Sequence, residues 1–426
     1  MTTPPPNSSV ATLLSRRRLL ATGAGGAAAL GLLGRIPAHA AAVDPDSATL
    51  HAQWDAVRRA ARGQTVHWNA WGGDETVNRY IAWVADQVAE RHGITLHHAK
   101  VADIADVIAR LLAEAAAGRT EGGSADLLWI NGENFLTAKQ AGLLYGPFAT
   151  ALPSWRYVDP AATPAVTVDF TVPTDGYESP WGLSQLTFGY DSARMPTPPA
   201  TLADLTGWIQ AHPGRFTYPA PPDFLGSTVL KQVLHDVSPD PAVLARPMVD
   251  FDTVTAPLWA WLAAVRPVLW REGRAFPHSG PEQRRLLADG EVDVYPSFHP
   301  SDASSSIAQG LLPPTVRTFL FQGGTIGNAH FVAIPATASA KAGALVVAEF
   351  LLSPEAQAAK QHPDVWGDDT VLAMDRLPPE ARARFDALPL GPATIPLNAR
   401  PPTLPEPHPS WMTAIEAEWR RIHAGG

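Results

Sequence analysis

The chain has 426 residues, enough for two domains that each bury a core, and its 46% hydrophobic against 17% charged residues is the balance of a globular protein. It contains no cysteine, which excludes disulfides, thiolate metal sites, cysteine nucleophiles and the lipidated cysteine that tethers many exported proteins to a membrane. A net charge of −9 makes nucleic acid and anionic lipid poor partners.

The first forty residues read as a separate piece. Arg16-Arg17-Arg18 followed by Leu19-Leu20 is a twin-arginine arrangement, a weakly apolar run extends to about Leu33, and Ala38-His39-Ala40 is a cleavage site. Residues 1–40 are therefore expected to be a removed signal peptide, since the run is too short and glycine-rich for an anchor. Its loss takes four arginines (Arg16, Arg17, Arg18, Arg35) and no acid, and moves the charge from −9 to −13. A freely diffusing exported protein needs a second membrane to retain it, so the expected address is a periplasm.

The elements then follow in order. A short helix covers Leu50 to Ala61, and Thr65–Ala70 is a strand left through the turn Trp71-Gly72-Gly73. Asp74 caps a helix whose apolar face is Val77, Tyr80, Ile81, Val84 and Val88, and Gly93 ends it. Ile94–Lys100 is a strand, Asp103–Ala117 a helix, and Ala125–Asn131 an almost wholly apolar strand. Apolar strands alternating with helices predict a parallel sheet covered on both faces. After a proline-rich stretch, Trp181–Tyr190 (WGLSQLTFGY) reads as one long strand, and a second α/β series follows. It comprises a helix over Leu202–Gln210, a strand at Arg215–Tyr218, helices from Gly226, around Trp259–Leu269 and over Gly280–Leu287, and a strand at Val292–Phe298. Ala329–Ile334 is a strand stopped by Pro335, Lys341 to Leu352 has helical spacing, and Ser353-Pro354 breaks that helix before a short second one. A helix over Trp411–His423 ends the chain.

HExxH, GxSxG, GxxxxGK[ST] and SxxK are all absent, so no catalytic residue is nominated. His97 and His98 point to opposite faces of one strand, and His278 and His299 have no partner at ligand spacing, so no metal site and no cofactor is expected. What remains is a set of aromatic and small polar residues at strand ends and turns: Trp71, Asn131, Asn134, Trp181, Gln185, Phe224, Ser227, Phe298, Ser301, Thr325 and Asn328. That mixture suits a solute pocket, with apolar faces and convergent hydrogen-bond partners. Glu133, Glu178 and Asp223 adjoin these turns as counter-charges for a cation, whereas the turns contain no arginine for an anion.

Four patches, AWGG (70–73), SPWGLSQLTFGYD (179–191), PPDFLGST (221–228) and GTIGN to SPEAQ (324–357) with WGDDTVL (366–372), resemble the extracellular solute-binding proteins of ABC importers, closest to the YnjB-like branch. The resemblance implies an α/β, two-lobed periplasmic-binding-protein fold of type II, with a hinge of crossing strands and a ligand clamped between lobes. On that reading lobe 1 is 41–188 plus 325–365 and lobe 2 is 189–322 plus 366–426. It implies no reaction; it implies a monomer that hands a small solute, a thiamine-like cation being one suggestion, to ABC permease subunits. The rival expectation is a secreted enzyme exported by the twin-arginine route, a hydrolase or an oxidoreductase.

Overall fold

The computed structural model describes residues 53–423, and the expected signal segment lies outside them. Among the described residues no helix is long and apolar enough to cross a membrane. The first series is α1 (Trp54–Ala61), β1 (Thr65–Trp71), α2 (Glu75–His92), β2 (Thr95–Val101), α3 (Ala105–Ala116), β3 (Leu127–Ile130) and α4 (Gly132–Gln140). The short strands β4 (Leu144–Tyr145), β5 (Val168–Asp169) and β6 (Val172–Pro173) lead to β7 (Glu178–Gln185) and β8 (Thr187–Asp191). The second series is α5 (Leu202–Ala211), α6 (Phe224–Val237), α7 (Phe251–Val265), α8 (Gly280–Ala288), β9 (Val294–Ser297), α9 (Asp302–Ala308) and β10 (Val316–Phe319). Then come β11 (Thr325–Pro335), α10 (Lys341–Leu352), α11 (Pro354–Gln361), α12 (Pro379–Asp386), β12 (Thr403–Leu404) and α13 (Pro409–His423).

Local chemistry sets several of these boundaries. The Asp74 carboxylate accepts from the Thr76 N–H at 2.7 Å and starts α2, and Gly93, at φ 65°, ends it in the left-handed conformation. Ser353 caps α11 through the Ala356 N–H, with Pro354 at the first helical position, where its missing N–H costs nothing. The expected strand at Arg215–Tyr218 joins no ladder. Its carbonyls meet isolated partners, Arg215 O with Asp293 N at 2.9 Å, Phe216 O with Trp270 N at 2.8 Å and Thr217 O with the Gln283 side-chain amide at 2.6 Å, so the segment does not become a sheet member.

Two sheets organise the chain. In the large one β1 runs parallel to both β2 and β3, as the apolar strands predict, but β11 is antiparallel to β3 and to β7, so the sheet is mixed. The small sheet has the order β10-β8-β9, all antiparallel. The single strand expected over Trp181–Tyr190 is two, broken at Leu186, because the chain leaves the large sheet there and enters the small one. β10 and β11 make the return crossing alongside it, and the Leu186 N–H donates to the Ile326 carbonyl at 2.8 Å across the break.

Each sheet has its own cores. One face of the large sheet packs on α2 and α10, with Tyr80, Ile81, Leu345, Val347 and Leu351 buried; the other packs on α3 and α4 through Val107, Ile108 and Phe135. A fully buried side chain of this size contributes about 1.5–3 kcal/mol. α10 reaches the sheet at Gly343, where a Cβ would stand 2.7 Å from Val66 Cγ2. Around the small sheet, Phe188, Leu230, Leu234, Leu258 and Trp411 form the main core. The tail does not follow the expected boundary at 366. Trp366, Leu372, Leu377 and Phe385 pack into the large-sheet core, and only from α13 do Trp411, Ile415 and Trp419 join the small-sheet one.

Candidate ligand cavity

A cavity of about 290 Å³ opens beyond the carboxyl ends of β1, β2 and β3, where Trp71, Val101 and Asn131 lie on its wall. Trp129, Asn328 and His330 line it from the large sheet. Phe224, Arg284, Phe298 and His299 line it from the elements around the small sheet, and Glu416 from α13. α6 starts at the wall, with the Asp223 carboxylate accepting from the Leu225 and Gly226 N–H groups at 3.0 and 3.2 Å. Gly226 lets that turn close, since a Cβ there would meet the Pro219 carbonyl oxygen at 2.1 Å.

Of the residues nominated from the sequence, Trp71, Asn131, Asn134, Phe224, Phe298 and Asn328 come together on this wall. The others stand elsewhere. Trp181 is fully buried in the large-sheet core, against Trp68, Tyr80, Trp129, His330 and Trp366, because its strand is covered on both faces. Gln185 donates to the Pro401 and Pro402 carbonyls at 3.2 Å each, tying the crossing strand to the tail. Thr325 is buried where β11 pairs with β12. Ser227 lies behind the wall and donates to Glu416 at 2.6 Å, and Ser301 is buried before α9, where it would meet a Cβ at Gly367. Of the acids offered as counter-charges, Glu133 and Asp223 line the cavity while Glu178 is fully buried.

The wall is acidic. Asp103, Glu133, Asp223 and Glu416 line it, and among the described residues none of them has a basic side chain at ion-pair distance. Burial raises the Glu133 carboxyl to about 7, with the charge of Glu416 adding to the effect, and raises Asp223 to about 6. Lys231 is committed behind the wall to Glu406 at 2.6 Å. Arg284, which the sequence reading overlooked, also lines the cavity, but Asp302 bonds it and Asp74 lies 3.6 Å away, so its charge is already answered. The side-chain oxygen of Asn328 is buried without a partner, while its amide donates to Glu406 at 3.1 Å.

Three more functional candidates escaped the sequence reading. Trp129 is an alternate residue of an apolar strand. His330 is the one imidazole inside the apolar strand AHFVAI, and Glu416 the acid beside the apolar face of α13; both were visible as polar interruptions. His330 and His299 meet Asp368, whose other carboxylate oxygen accepts from Lys360 at 2.5 Å. Burial opposes charge on Asp368, yet Lys360 and the imidazoles hold its carboxyl well below the usual range.

A family model described as bacterial extracellular solute-binding protein matches residues 83–364. The chain is 47% identical over 374 residues to protein YnjB of Escherichia coli (strain K12), which covers 87% of this chain and 94% of that one. Among solved structures, the spermidine/putrescine ABC transporter substrate-binding protein PotD of Streptococcus pneumoniae superposes with a TM-score of 0.57 at 14% identity, covering 85% of this chain and 99% of that one. Iron-bound HitA of Pseudomonas aeruginosa gives 0.58 at 15%, covering 84% and 99%. At these identities the likeness bears on the fold, which is that of the type II periplasmic binding proteins.

Proposed function

Because the chain belongs to the bacterial extracellular solute-binding proteins, and so is the periplasmic substrate-binding component of an ABC transporter, we propose that its solute is a compact organic cation bearing N–H donors. The observation that carries this is the set of four carboxylates, Asp103, Glu133, Asp223 and Glu416, which among the described residues have no basic partner, on a wall that also holds Trp71, Trp129, Phe224 and Phe298. Carboxylates attract the charge, a cation over an aromatic face gains about 0.5–2 kcal/mol, and the unpartnered Asn328 oxygen asks for a donor. Trp129 supplies on the wall the aromatic face that the sequence led one to expect from Trp181. An anionic solute is poorly served, since Arg284, the one arginine on the wall among the described residues, is neutralised.

The solute is held between two lobes built on the large and the small sheet, with β7–β8 and β10–β11 as the hinge, and its binding draws the lobes together. The protein works as a monomer, reaches the periplasm by the twin-arginine route and docks on the permease subunits. The rival reading, a secreted enzyme, draws no support from a family of transport proteins.

Intrinsic tryptophan fluorescence of the purified protein, titrated with thiamine, choline, putrescine, glucose and sulfate, tests the solute class. At least one of the three cations binds, and Trp71→Ala weakens it by roughly 2–30-fold, the span that 0.5–2 kcal/mol corresponds to. Binding of glucose or sulfate alone, unchanged within about twofold in Glu133→Gln and Glu416→Gln, would overturn the cation reading.

A further inference from the structure

We infer that His299, His330 and Asp368 form a site for one divalent transition-metal ion of the zinc or cobalt class, opening on the ligand cavity. One ligand atom from each residue lies within 4.8 Å of the other two. His330 Nε2 stands 3.0 Å and His299 Nδ1 3.7 Å from the same oxygen, Asp368 Oδ1. Ligand atoms held about 2.0–2.2 Å from a tetrahedral zinc sit roughly 3.4 Å from one another, so these separations bracket what a shared ion imposes. Two imidazoles and a carboxylate are the donor set that borderline divalent ions take, and three protein ligands leave a fourth position open.

The surroundings fit the role. His299 Nδ1 is buried without a hydrogen-bond partner, an uncommon condition for a ring nitrogen and one that a bound ion relieves. Lys360 Nζ fixes the far oxygen of Asp368 at 2.5 Å and donates to the Asp369 carbonyl at 2.6 Å, so it orients the carboxylate from outside and leaves Oδ1 to the imidazoles. Ser184 Oγ, 2.9 Å from His330 Nε2 and 3.1 Å from Asp368 Oδ1, reaches the same point. Trp366 packs on both rings, at 5.8 Å from His330 and 5.4 Å from His299. His299 and His330 line the cavity, so the open position faces the solute. The three residues come from three separate segments, after β9, within β11 and after α11, which is why no spacing motif announces them. The inference does not depend on the identity of the solute.

The test uses the full chain stripped with a chelator, titrated with Co²⁺ under visible absorption and with Zn²⁺ under calorimetry. One ion per chain is expected, with tetrahedral-type cobalt bands, and His299→Ala and His330→Ala each weaken it by at least about 10–100-fold, the range known for outer partners alone. His299 sits on the cavity wall, so its variant should fold; Zn²⁺ raises the melting midpoint of the native chain and not that of His299→Ala. The site is overturned if the stripped native chain takes up no ion, or if its binding and its zinc-induced stabilisation are the same in His299→Ala. Either result would leave the three residues as an ion-pair cluster around Asp368, held by Lys360.

Discussion

Replacing Trp181 separates core from ligand site more sharply than any other change. Its indole has no exposed surface and meets Trp68 at 5.5 Å, Tyr80 at 6.2 Å, Trp129 at 4.8 Å, His330 at 5.8 Å and Trp366 at 5.4 Å between ring centres. Truncation to alanine removes that packing and leaves a cavity, which costs about 3–5 kcal/mol. Trp181→Phe removes a smaller part of the ring and also the indole N–H, which is buried without a partner and whose burial unpaired costs about 1–3 kcal/mol. The two effects oppose each other, so the phenylalanine variant should fall within about 1.5 kcal/mol of the native protein, inside the range of volume-conserving core changes. Urea unfolding followed by circular dichroism gives both values as the midpoint shift multiplied by the slope. Trp71→Ala, at a half-buried wall position, should instead leave stability within about 1 kcal/mol and weaken cation binding. The reasoning fails if Trp181→Ala loses less than about 1 kcal/mol of stability while cation affinity drops tenfold, since Trp181 would then act on the ligand and not on the core.

Three further outcomes follow. With Glu133 raised to about 7 and Asp223 to about 6, the empty cavity takes up protons as pH falls through those values, whereas a bound cation favours the ionised carboxylates. Cation affinity should therefore be full above about pH 8 and roughly 30-fold weaker at pH 5.5 from Glu133 alone, while the empty protein gains stability over the same fall; a flat affinity profile counts against the acid wall. Lys231→Met strands Glu406 without its counter-ion in a fully buried place and should cost about 3–5 kcal/mol near pH 8, less on acidification because burial already lifts the Glu406 carboxyl; urea midpoints at two pH values check both. Saturation with a binding cation should shrink the radius of gyration in small-angle scattering, and an unchanged radius would dismiss the hinge.

The sequence shows the fold best where one physical signal dominates. The cap Asp74, the stop Gly93 and the i, i+3, i+4 stripe from Val77 to Val88 define α2 without ambiguity. β1, β2 and β3 are legible as parallel neighbours because strands alternate with helices and β3 is apolar throughout, although β2, with His97, His98 and Lys100, is largely polar. The direction of β11 is not, since an apolar strand reads the same whichever way it runs beside β3. In the site, Trp71, Asn131 and Phe224 were legible because strand ends and helix starts point into a crevice. Trp181 misled for a physical reason: its place between Pro180 and Gly182 suggests a turn at the crevice, but it lies inside β7, which is buried along nearly its whole length. His299, His330 and Asp368 are far apart in the chain, and only tertiary folding brings their atoms within 4.8 Å of one another.

The position of β11 has a consequence for the order in which the chain acquires its structure. β3 is complete by Ile130, yet its neighbour on the open side is supplied by residues from Thr325 onward, and α10, which covers that part of the sheet, ends only at Leu352. Until nearly two hundred intervening residues have been made, the apolar run Leu127–Ile130 stands as an unpaired strand edge, the kind of surface that seeks any passing strand. The amino-terminal half therefore cannot mature first in the usual succession of synthesis; its completion waits on the late segment, a non-local closure that is slow and exposed to aggregation. A chain truncated anywhere between β3 and β11 should be a sticky fragment, and a holding chaperone would have most to do in that interval.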